Sequence, residues 1–305
     1  MCSPDIIQRV HEQIRTGSSR YDRRHLLRAA AGAAGVGALA AVGGMPHAAF
    51  AQATPAATPL ASPMASPVAA IGIGTITANT IVDMTHVMTP EFPVWPGNDP
   101  FAIENLVTVA KDGFFANKLT YWEHTCTHLD APAHFDADGL TAELLSPQNF
   151  VAPLAVIDIS ARAADDPDTG VTPDDITAWE AANGPLPGGA FVAMYSGWES
   201  RLGDPASFIN LDADGVQHYP GFTPEAATFL IDERDIVGIG VDTLSQDPGN
   251  SVDFGTHIAI LSAGRYGIEG LASLGSVPPV GGTIVVGAPK HIHASGGPTR
   301  AFTLF

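Results

Sequence analysis

The sequence predicts an α/β domain, because strand-like and helix-like segments alternate along its second half. Three apolar runs, 152–159, 190–195 and 236–241, have the length and composition of buried β-strands. Two Thr-Pro-acid triplets, beginning at Thr172 and Thr223, lie between these runs. In each triplet the threonine is a favourable N-cap and the proline suits the first helical turn, so each predicts a short helix. This alternation is typical of α/β folds.

Three further strands are predicted earlier in the domain. Residues 71–76 and 81–84 have the composition of short strands, and the second of them ends before the turn-forming pair Thr89-Pro90. A strand over residues 118–123 alternates polar and apolar side chains. We expect it to break into a loop where a histidine-rich window begins.

Residues 1–51 are typical of a targeting segment and are left out of the fold prediction. The pair Arg23-Arg24 precedes an apolar run rich in alanine and glycine over residues 29–44, and residues 49–51 read Ala-Phe-Ala, a possible cleavage site. The alternative is a membrane anchor, but the run is short, weakly hydrophobic and followed by Pro46, whereas a spanning helix needs about 20 apolar residues. The pattern predicts a cleaved twin-arginine signal and export to the periplasm or the exterior.

Residues 52–70 form a linker rich in Pro, Ala, Thr and Ser, with no charged residue. Such a segment cannot bury a core and predicts a semi-extended spacer. Residues 71–305 have a globular composition and a length that suits one domain.

The chain is strongly acidic, with a formal net charge of −18. This charge excludes nucleic acid and anionic membrane surfaces as expected partners, and a small-molecule substrate is expected instead. Of the two cysteines only Cys126 lies beyond the signal, so the exported chain has no internal disulfide. Its stability must depend on the core, on bound metal and on oligomerisation.

The most informative stretch is residues 124–134, which read HTCTHLDAPAH. Neutral imidazole and carboxylate together are a typical ligand set for zinc or a similar divalent ion. A single histidine is usually a hydrogen-bonded core or surface residue, but three histidines and an aspartate in one short window indicate a metal site. The candidates are His124, His128, Asp130 and His134.

The spacing within this window constrains the backbone. Residues four apart in a strand are separated by about 13 Å, too far for His124 and His128 to share one ion through bonds of about 2 Å. Pro132 excludes a long helix, so the chain must bend or make one helical turn between the two histidines. His128 and Asp130 are two apart and can share a face even in an extended chain. The window therefore predicts a ligand-bearing loop, and Pro132 keeps its exit extended.

These residues resemble a known family. The pattern H-x-G-T-H-x-D-x-P-x-H is the signature of the metal-dependent cyclases, which include bacterial kynurenine formamidases and isatin hydrolases. The window matches every fixed position except one, where Cys126 replaces glycine. Four further segments, 81–85, 92–97, 240–243 and 247–249, resemble other motifs of the family. The resemblance covers residues 81–305.

The resemblance implies a swivelling β/β/α fold, a homodimer or higher homo-oligomer, and hydrolysis of a C–N bond with one or two divalent ions. In the formamidase branch the positions of His124, His128 and Asp130 bind one zinc ion. Asp130 then bridges to a second ion, which His257 and Glu269 also hold. The isatin hydrolase branch uses manganese, so zinc is the first expectation and manganese the alternative.

His134 matches the catalytic histidine of the family. The resemblance implies that it takes a proton from the attacking water as general base and then protonates the leaving amine. The alternative is that His134 only orients the ligands or packs against them.

Cys126 departs from the family pattern. Glycine at this position would permit a positive φ or a close approach of the backbone to the site. Cysteine tolerates both less well, so we expect either a negative φ or a slightly reshaped loop. The thiolate could also be a ligand, but a buried free cysteine more often behaves as a small hydrophobic residue.

Other candidates rest on weaker patterns. Trp95 and Trp198 are possible substrate contacts, with ordinary core packing as the alternative for both. Glu269 is expected near the start of a helix, where a carboxylate could merely complement the helix dipole. His291 and His293 form an H-x-H pair, for which an exposed or packing role is expected.

The family resemblance makes arylformamidase activity on N-formylkynurenine, a step of tryptophan catabolism, the first expectation. Export argues against it, because tryptophan breakdown is normally intracellular, so isatin, other cyclic amides and lactones are alternatives. Motifs of competing hydrolases and nucleotide-binding proteins, such as G-x-S-x-G, H-E-x-x-H and the Walker loop, are absent from the sequence. A third alternative is an exported protein that binds metal or a small ligand without catalysis, although such a protein has no need of His134.

Overall fold

The computed structural model describes residues 78–305. The predicted signal, the linker and the predicted strand over 71–76 lie outside the described residues. Within 78–305, none of the helices has both the length and the apolar character that crossing a membrane requires.

The described residues contain thirteen strands and six α-helices. The strands are β1 Ile81–Asp83, β2 Ala102–Val107, β3 Ala116–Thr120, β4 His128–Asp130, β5 Val151–Asp158, β6 Gly170–Val171, β7 Ala190–Tyr195, β8 Gly221–Phe222, β9 Ile236–Val241, β10 Tyr266–Glu269, β11 Gly282–Gly287, β12 Gly296–Pro298 and β13 Arg300–Leu304. The helices are α1 Val109–Asp112, α2 Ser160–Asp165, α3 Pro173–Asn183, α4 Pro205–Ile209, α5 Pro224–Glu233 and α6 Gly255–Ser262. Short 3₁₀ turns, including Pro132–His134, connect several of them.

A nine-stranded mixed sheet organises this part of the chain, in the order β1-β13-β11-β5-β7-β9-β10-β4-β12. The central strands β5, β7, β9 and β10 are parallel, and the outer neighbours pair antiparallel. The helices connect the parallel strands, so the predicted α/β class is confirmed.

Local sequence signals positioned several of these elements correctly. The predicted strands over 190–195 and 236–241 coincide with β7 and β9. Helices α3 and α5 begin directly after their threonine caps, whose hydroxyls accept the backbone N–H groups of Asp175 and Ala226. The capping prediction is therefore confirmed at both sites.

Both faces of the central sheet are buried. Alternate side chains of β5 point into two hydrophobic clusters, with Leu154 in one cluster and Ile157 in the other. Helices α3 and α5 cover the second face through side chains such as Ile176 and Leu230. This two-sided burial is why the central strands appear in the sequence as continuous apolar runs rather than as alternating patterns.

Strands β2 and β3 form a separate two-stranded ribbon, which we call the arm (residues 102–120). The strand predicted over 118–123 is therefore present but ends at Thr120, and the chain is irregular from there to the site. Large apolar side chains along the arm are 50–65% exposed, namely Ile103, Leu106, Val109, Phe114, Phe115 and Leu119.

The sheet positions the histidine-rich window. Strand β4 lies between β10 and β12, with His128 opposite Glu269 and Asp130 opposite Gly267. Two predicted ligands on distant parts of the chain are therefore brought together by antiparallel pairing alone.

Candidate metal centre and active site

The five predicted metal ligands converge in one buried cluster around Asp130. His124 Nδ1 lies 2.6 Å from Asp130 Oδ1, and His128 Nε2 lies 3.3 Å from the same oxygen. His257 Nε2 lies 3.6 Å from Asp130 Oδ2 and 3.0 Å from Glu269 Oε1. Because Asp130 is fully buried, its two oxygens can serve only these neighbours and the protein around them.

The grouping of the ligands differs from the one that the resemblance implies. Ligand atoms of His128, Asp130 and Glu269 lie within 4.8 Å of one another, and so do those of His124, Asp130 and His134. Asp130 is shared by both groups, as a bridging carboxylate would be. His134 thus lies within the cluster as well as at the cavity, so its position is compatible with a ligand as well as with a catalytic base.

The histidine tautomers leave lone pairs directed at carboxylate oxygens. The Nδ1–H of His128 donates to the Cys126 carbonyl at 2.9 Å, so Nε2 faces Asp130 and Glu269 and carries the lone pair when the ring is neutral, as a metal ligand must be. This Nε2 is buried and makes no well-oriented hydrogen bond within the described part of the chain. Acceptors that face acceptors need a proton or a cation between them. The donor set therefore fits a divalent ion bound by nitrogen and oxygen.

The pKa values in the cluster are shifted by burial and by the close packing of histidines against carboxylates. Burial disfavours the charged form of His128, but the Asp130 and Glu269 carboxylates outweigh it and raise the pKa to about 10. Burial likewise acts to raise the pKa of Asp130, yet His128 and His124 hold that pKa well below its usual range. The carboxylates are thus kept ionised, as metal ligands must be.

His134 has the opposite character. Desolvation by the surrounding protein, followed by the neighbouring His124, holds the pKa of His134 well below its usual range. Its ring stacks on that of His124, with the centroids 3.8 Å apart. His134 is therefore a neutral imidazole at neutral pH, which is the form that a general base requires.

Two residues without a predicted role, Asp247 and Gln246, hold the ligands in place. Asp247, 1% exposed, accepts the Nδ1–H of His257 at 2.5 Å and directs Nε2 towards the cluster. Gln246 donates its side-chain amide to Asp130 Oδ2 at 2.6 Å and its backbone N–H to Glu269 Oε1. The motif at 247–249 was the only sequence signal that pointed to this segment. Such partners orient ligands and raise their basicity.

The backbone at Cys126 contradicts one expectation. Its φ is +60°, so the alternative of a negative φ is wrong and cysteine occupies the left-handed conformation that glycine would favour. The carbonyl of Cys126 is needed at its observed place, because it accepts the His128 ring N–H. Burial raises the pKa of the thiol to about 11, which favours the small hydrophobic residue over a thiolate ligand.

Glu269 does not begin a helix, and that expectation is wrong. It is the last residue of β10, which pairs parallel with β9 and antiparallel with β4. The apolar side chain of Ile268 is fully buried in the core, so tertiary packing selects the strand. The register with β4 is what directs Glu269 to His128.

A cavity of about 570 Å³, including its open mouth, lies over the ligand cluster. His124, His128, His134, His257 and Glu269 form its polar side. The rest of the lining is mostly apolar and includes Phe92, Pro93, Val94, Trp95, Phe135, Phe208, Leu244 and Phe254.

The two candidate tryptophans have different positions. Trp95 lines the cavity, as a substrate contact must. Trp198 does not line it; the side chain is 2% exposed and packs with Phe208 and Tyr219. Its indole N–H donates to the Phe208 carbonyl at 2.8 Å, so Trp198 supports the cavity wall from behind. The prediction of a direct contact by Trp198 is wrong, because core packing placed the ring behind the wall.

His291 and His293 are exposed, as expected. Neither belongs to a group of metal-ligating side chains within the described residues.

Comparison with known proteins identifies the family. Residues 82–248 match the family model "Putative cyclase". The isatin hydrolase of Roseibium aggregatum is 35% identical over 242 residues, covering 73% of this chain and 91% of that protein. A kynurenine formamidase of Geobacillus thermodenitrificans is 28% identical, covering 73% of this chain and 96% of that protein.

Solved structures agree with these sequence relatives. Isatin hydrolase A from Ralstonia solanacearum superimposes with a TM-score of 0.70 at 36% identity, covering 74% of this chain and 91% of that chain. An isatin hydrolase bound to the product analogue thioisatinate superimposes with a TM-score of 0.70 at 32% identity, covering 74% and 92%. The chain shares a mixed α/β fold with a curled sheet with these structures, which confirms the predicted α/β fold of the swivelling β/β/α type. The chain therefore belongs to the metal-dependent cyclase family.

Proposed function

We propose that this chain, a metal-dependent hydrolase of the cyclase family, opens the ring amide of an uncharged aromatic substrate such as isatin. The observation that carries the proposal is the lining of the cavity. Its apolar side is largely aromatic, and the described residues that line it include no lysine, arginine, asparagine or glutamine.

The lining discriminates between the two expected substrates. N-formylkynurenine carries an α-carboxylate and an ammonium group, and burying these charges against the apolar part of the lining is costly, because no lysine, arginine, asparagine or glutamine lies there to pair with them. Isatin is neutral and planar and can lie against aromatic side chains such as Trp95 and Phe254. The similarity to an isatin hydrolase at 35% identity supports the same choice. Arylformamidase activity is the second candidate, supported by the similarity to kynurenine formamidases.

The residues of the site have complementary roles in this proposal. His124, His128, Asp130 and Glu269, with His257 beside them, would hold the divalent ion, which would supply Lewis-acid activation of a water and of the amide carbonyl. His134 is neutral and takes the proton of the attacking water, then delivers it to the leaving nitrogen. The aromatic side of the cavity orients the planar substrate and excludes bulk water.

Zinc is the first choice for the ion and manganese the second. A histidine-rich donor set with two carboxylates suits zinc, but the same oxygens also accept manganese.

The proposal is tested with purified protein lacking residues 1–51, assayed on isatin and on N-formylkynurenine. The assays are run before and after chelation, with zinc or manganese added back. We expect metal-dependent opening of isatin and a much lower kcat/KM on the formamide. Turnover of N-formylkynurenine alone would favour arylformamidase. Metal-loaded protein that turns over neither substrate, nor other cyclic amides and lactones, would favour the binding-protein alternative.

We also propose that the protein is a homodimer or higher homo-oligomer that associates through the arm. The six apolar side chains of the arm amount to an exposed area of roughly 600 Å², which approaches the ~800 Å² per partner of a standard interface. The arm is also nearly neutral, with Lys111 and Lys118 balancing Glu104 and Asp112, on an otherwise acidic chain. A second acidic copy is therefore repelled least at this surface.

Light scattering after size-exclusion chromatography tests this association. We expect Leu119→Glu to shift the protein to the monomer mass, whereas Val252→Glu, at an exposed residue outside the arm, leaves the mass unchanged. An unchanged mass for Leu119→Glu would contradict association through the arm.

Export by the twin-arginine route is proposed from the sequence alone. We expect the wild-type protein to be recovered outside the cytoplasm with an N-terminus near Gln52. The double variant Arg23→Lys, Arg24→Lys should remain in the cytoplasm with its signal attached. The same distribution for both proteins would contradict this route.

A further inference from the structure

A short chain of hydrogen bonds runs from His124 through Ser295 to Glu123, outside the cluster of predicted ligands. Its Nε2 lies 2.9 Å from the Ser295 hydroxyl. That hydroxyl lies 2.5 Å from Glu123 Oε2, which also accepts the backbone N–H of Ser295. Glu123 precedes His124 in sequence, yet it reaches the ring only through a residue at the other end of the domain.

The direction of these hydrogen bonds follows from the donors available. A carboxylate oxygen accepts, so the single hydroxyl hydrogen of Ser295 points to Glu123. The remaining lone pairs of the hydroxyl can only accept, so His124 must donate its Nε2–H to Ser295. The lone pair of the neutral ring is then on Nδ1, the atom that lies 2.6 Å from Asp130 Oδ1.

The segment that carries Ser295 is built to approach His124 closely. A Cβ at Gly296 would lie 2.1 Å from the Leu129 carbonyl oxygen and 2.9 Å from Cε1 of His124. Only glycine fits there, so the backbone after Ser295 packs directly on the ligand. The Ser295 carbonyl also accepts the N–H of Ala131, which ties the segment to the end of β4.

We propose that Glu123 and Ser295 are positioning residues that fix the tautomer and the ring orientation of His124, so that Nδ1 faces the divalent ion. The proposal rests on the metal-dependent function proposed above. In this proposal Ser295 accepts the ring N–H of His124 and so orients that ring. The Cys126 carbonyl orients His128 in the same way, and Asp247 orients His257.

The chain offers a matched control for this proposal. Glu143 accepts the backbone N–H of His293 at 2.9 Å and so anchors the same segment without touching a predicted ligand. Glu143→Gln therefore reports anchoring of the segment alone. Glu123→Gln and Ser295→Ala report anchoring together with the contact to His124, and Ser295→Thr restores the hydroxyl.

The experiment titrates the metal-free wild-type protein and the four variants with Co²⁺, and it measures the Kd and the visible ligand-field spectrum. We expect Ser295→Ala to raise the Kd by about 10- to 100-fold and to change the spectrum. Glu123→Gln should change both in the same direction. Ser295→Thr should return both values towards wild type, and Glu143→Gln should leave them unchanged.

Two outcomes would overturn the proposal while leaving the metal site intact. One is wild-type Co²⁺ affinity and spectrum in both Ser295→Ala and Glu123→Gln. The other is an equal loss in Glu143→Gln, which would mean that anchoring of the segment is the whole effect. Failure of the wild-type protein to bind Co²⁺ would instead overturn the metal-dependent function and this inference with it.

Discussion

The site combines two groups of side chains that the protein holds in different ways. His124, His128, Asp130 and His134 lie on a stretch whose regular structure is limited to a three-residue strand and a 3₁₀ turn. His257 lies within helix α6, and Glu269 ends strand β10, so both are carried by regular elements. The first group is close together in sequence but lies mostly on irregular backbone. The second group is farther apart in sequence but lies on a helix and a strand.

The difference determines where each group gets its support. The loop group has regular backbone pairing only along β4, so contacts from distant segments also hold its side chains, as Gln246 holds Asp130 and Ser295 holds His124. The backbone of the element group is placed by the core around α6 and β10, and a further contact, such as that of Asp247 with His257, then orients the side chain.

The largest expected effect distinguishes catalysis from ligation within the loop group. His134→Ala should lower kcat by about 10²- to 10⁴-fold, because a positioned general base is lost. Metal content measured by elemental analysis should stay at the wild-type level. Loss of metal together with activity would make His134 a ligand, as its distance to Asp130 permits. A fully active His134→Ala variant would contradict the role of His134 as general base.

The second prediction tests whether the element group binds an ion of its own. Glu269→Ala should lower the metal stoichiometry, since it removes a carboxylate within 3.2 Å of both His128 and His257. Breaking such buried pairs also costs about 3–5 kcal/mol, which thermal unfolding would detect. Glu269→Gln is the control, because it keeps the size of the side chain and one oxygen. Full stoichiometry in Glu269→Ala would exclude two ions.

The third prediction extends the comparison to the two tryptophans. Trp198→Ala should lower the free energy of unfolding by about 3–5 kcal/mol, because the ring fills the core behind the cavity wall. Trp95→Ala should leave stability nearly unchanged and raise KM about tenfold, or ~1.4 kcal/mol of binding. Denaturant unfolding and steady-state kinetics on isatin measure both. Equal effects on stability would contradict the separate roles of the two residues.

The smallest expected effect tests the strain at the bend of the loop. Cys126→Gly relieves the positive φ but loses a buried thiol, whereas Cys126→Ala loses the thiol and keeps a Cβ in the left-handed conformation. The glycine variant should therefore be more stable than the alanine variant by about 1 kcal/mol. Chemical denaturation of the metal-free proteins measures the difference. The reverse order would show that the loop is not strained at this position.

Much of the fold was predictable because its signals are local. The threonine caps of α3 and α5 and the apolar runs of β7 and β9 depend on neighbours within a few residues. The histidine-rich window was likewise recognisable, because its ligands lie within eleven residues of one another.

The errors occurred where distant contacts decide the outcome. The sequence around Glu269 predicts the start of a helix, but pairing with β4 and β9 makes this segment a strand. The sequence makes Trp198 a candidate for the cavity, but packing against Phe208 and Tyr219 places it in the core. Cys126 has a positive φ although cysteine disfavours it, and in this conformation its carbonyl accepts the ring N–H of His128. Pairing and packing of this kind leave little trace in the neighbouring residues.

The sequence by itself determined the α/β alternation, the helix starts and the histidine-rich window that supplies candidate metal ligands, because caps, periodicity and ligand chemistry act over short stretches of chain. The tertiary structure alone decided that Ser295 reaches His124 across 171 positions, and that Gln246 and Asp247 hold Asp130 and His257. The contact of Ser295 exists because the sheet order places β12, which directly follows Ser295, beside β4. The order of strands in a sheet is set by the packing of the whole core rather than by any one segment.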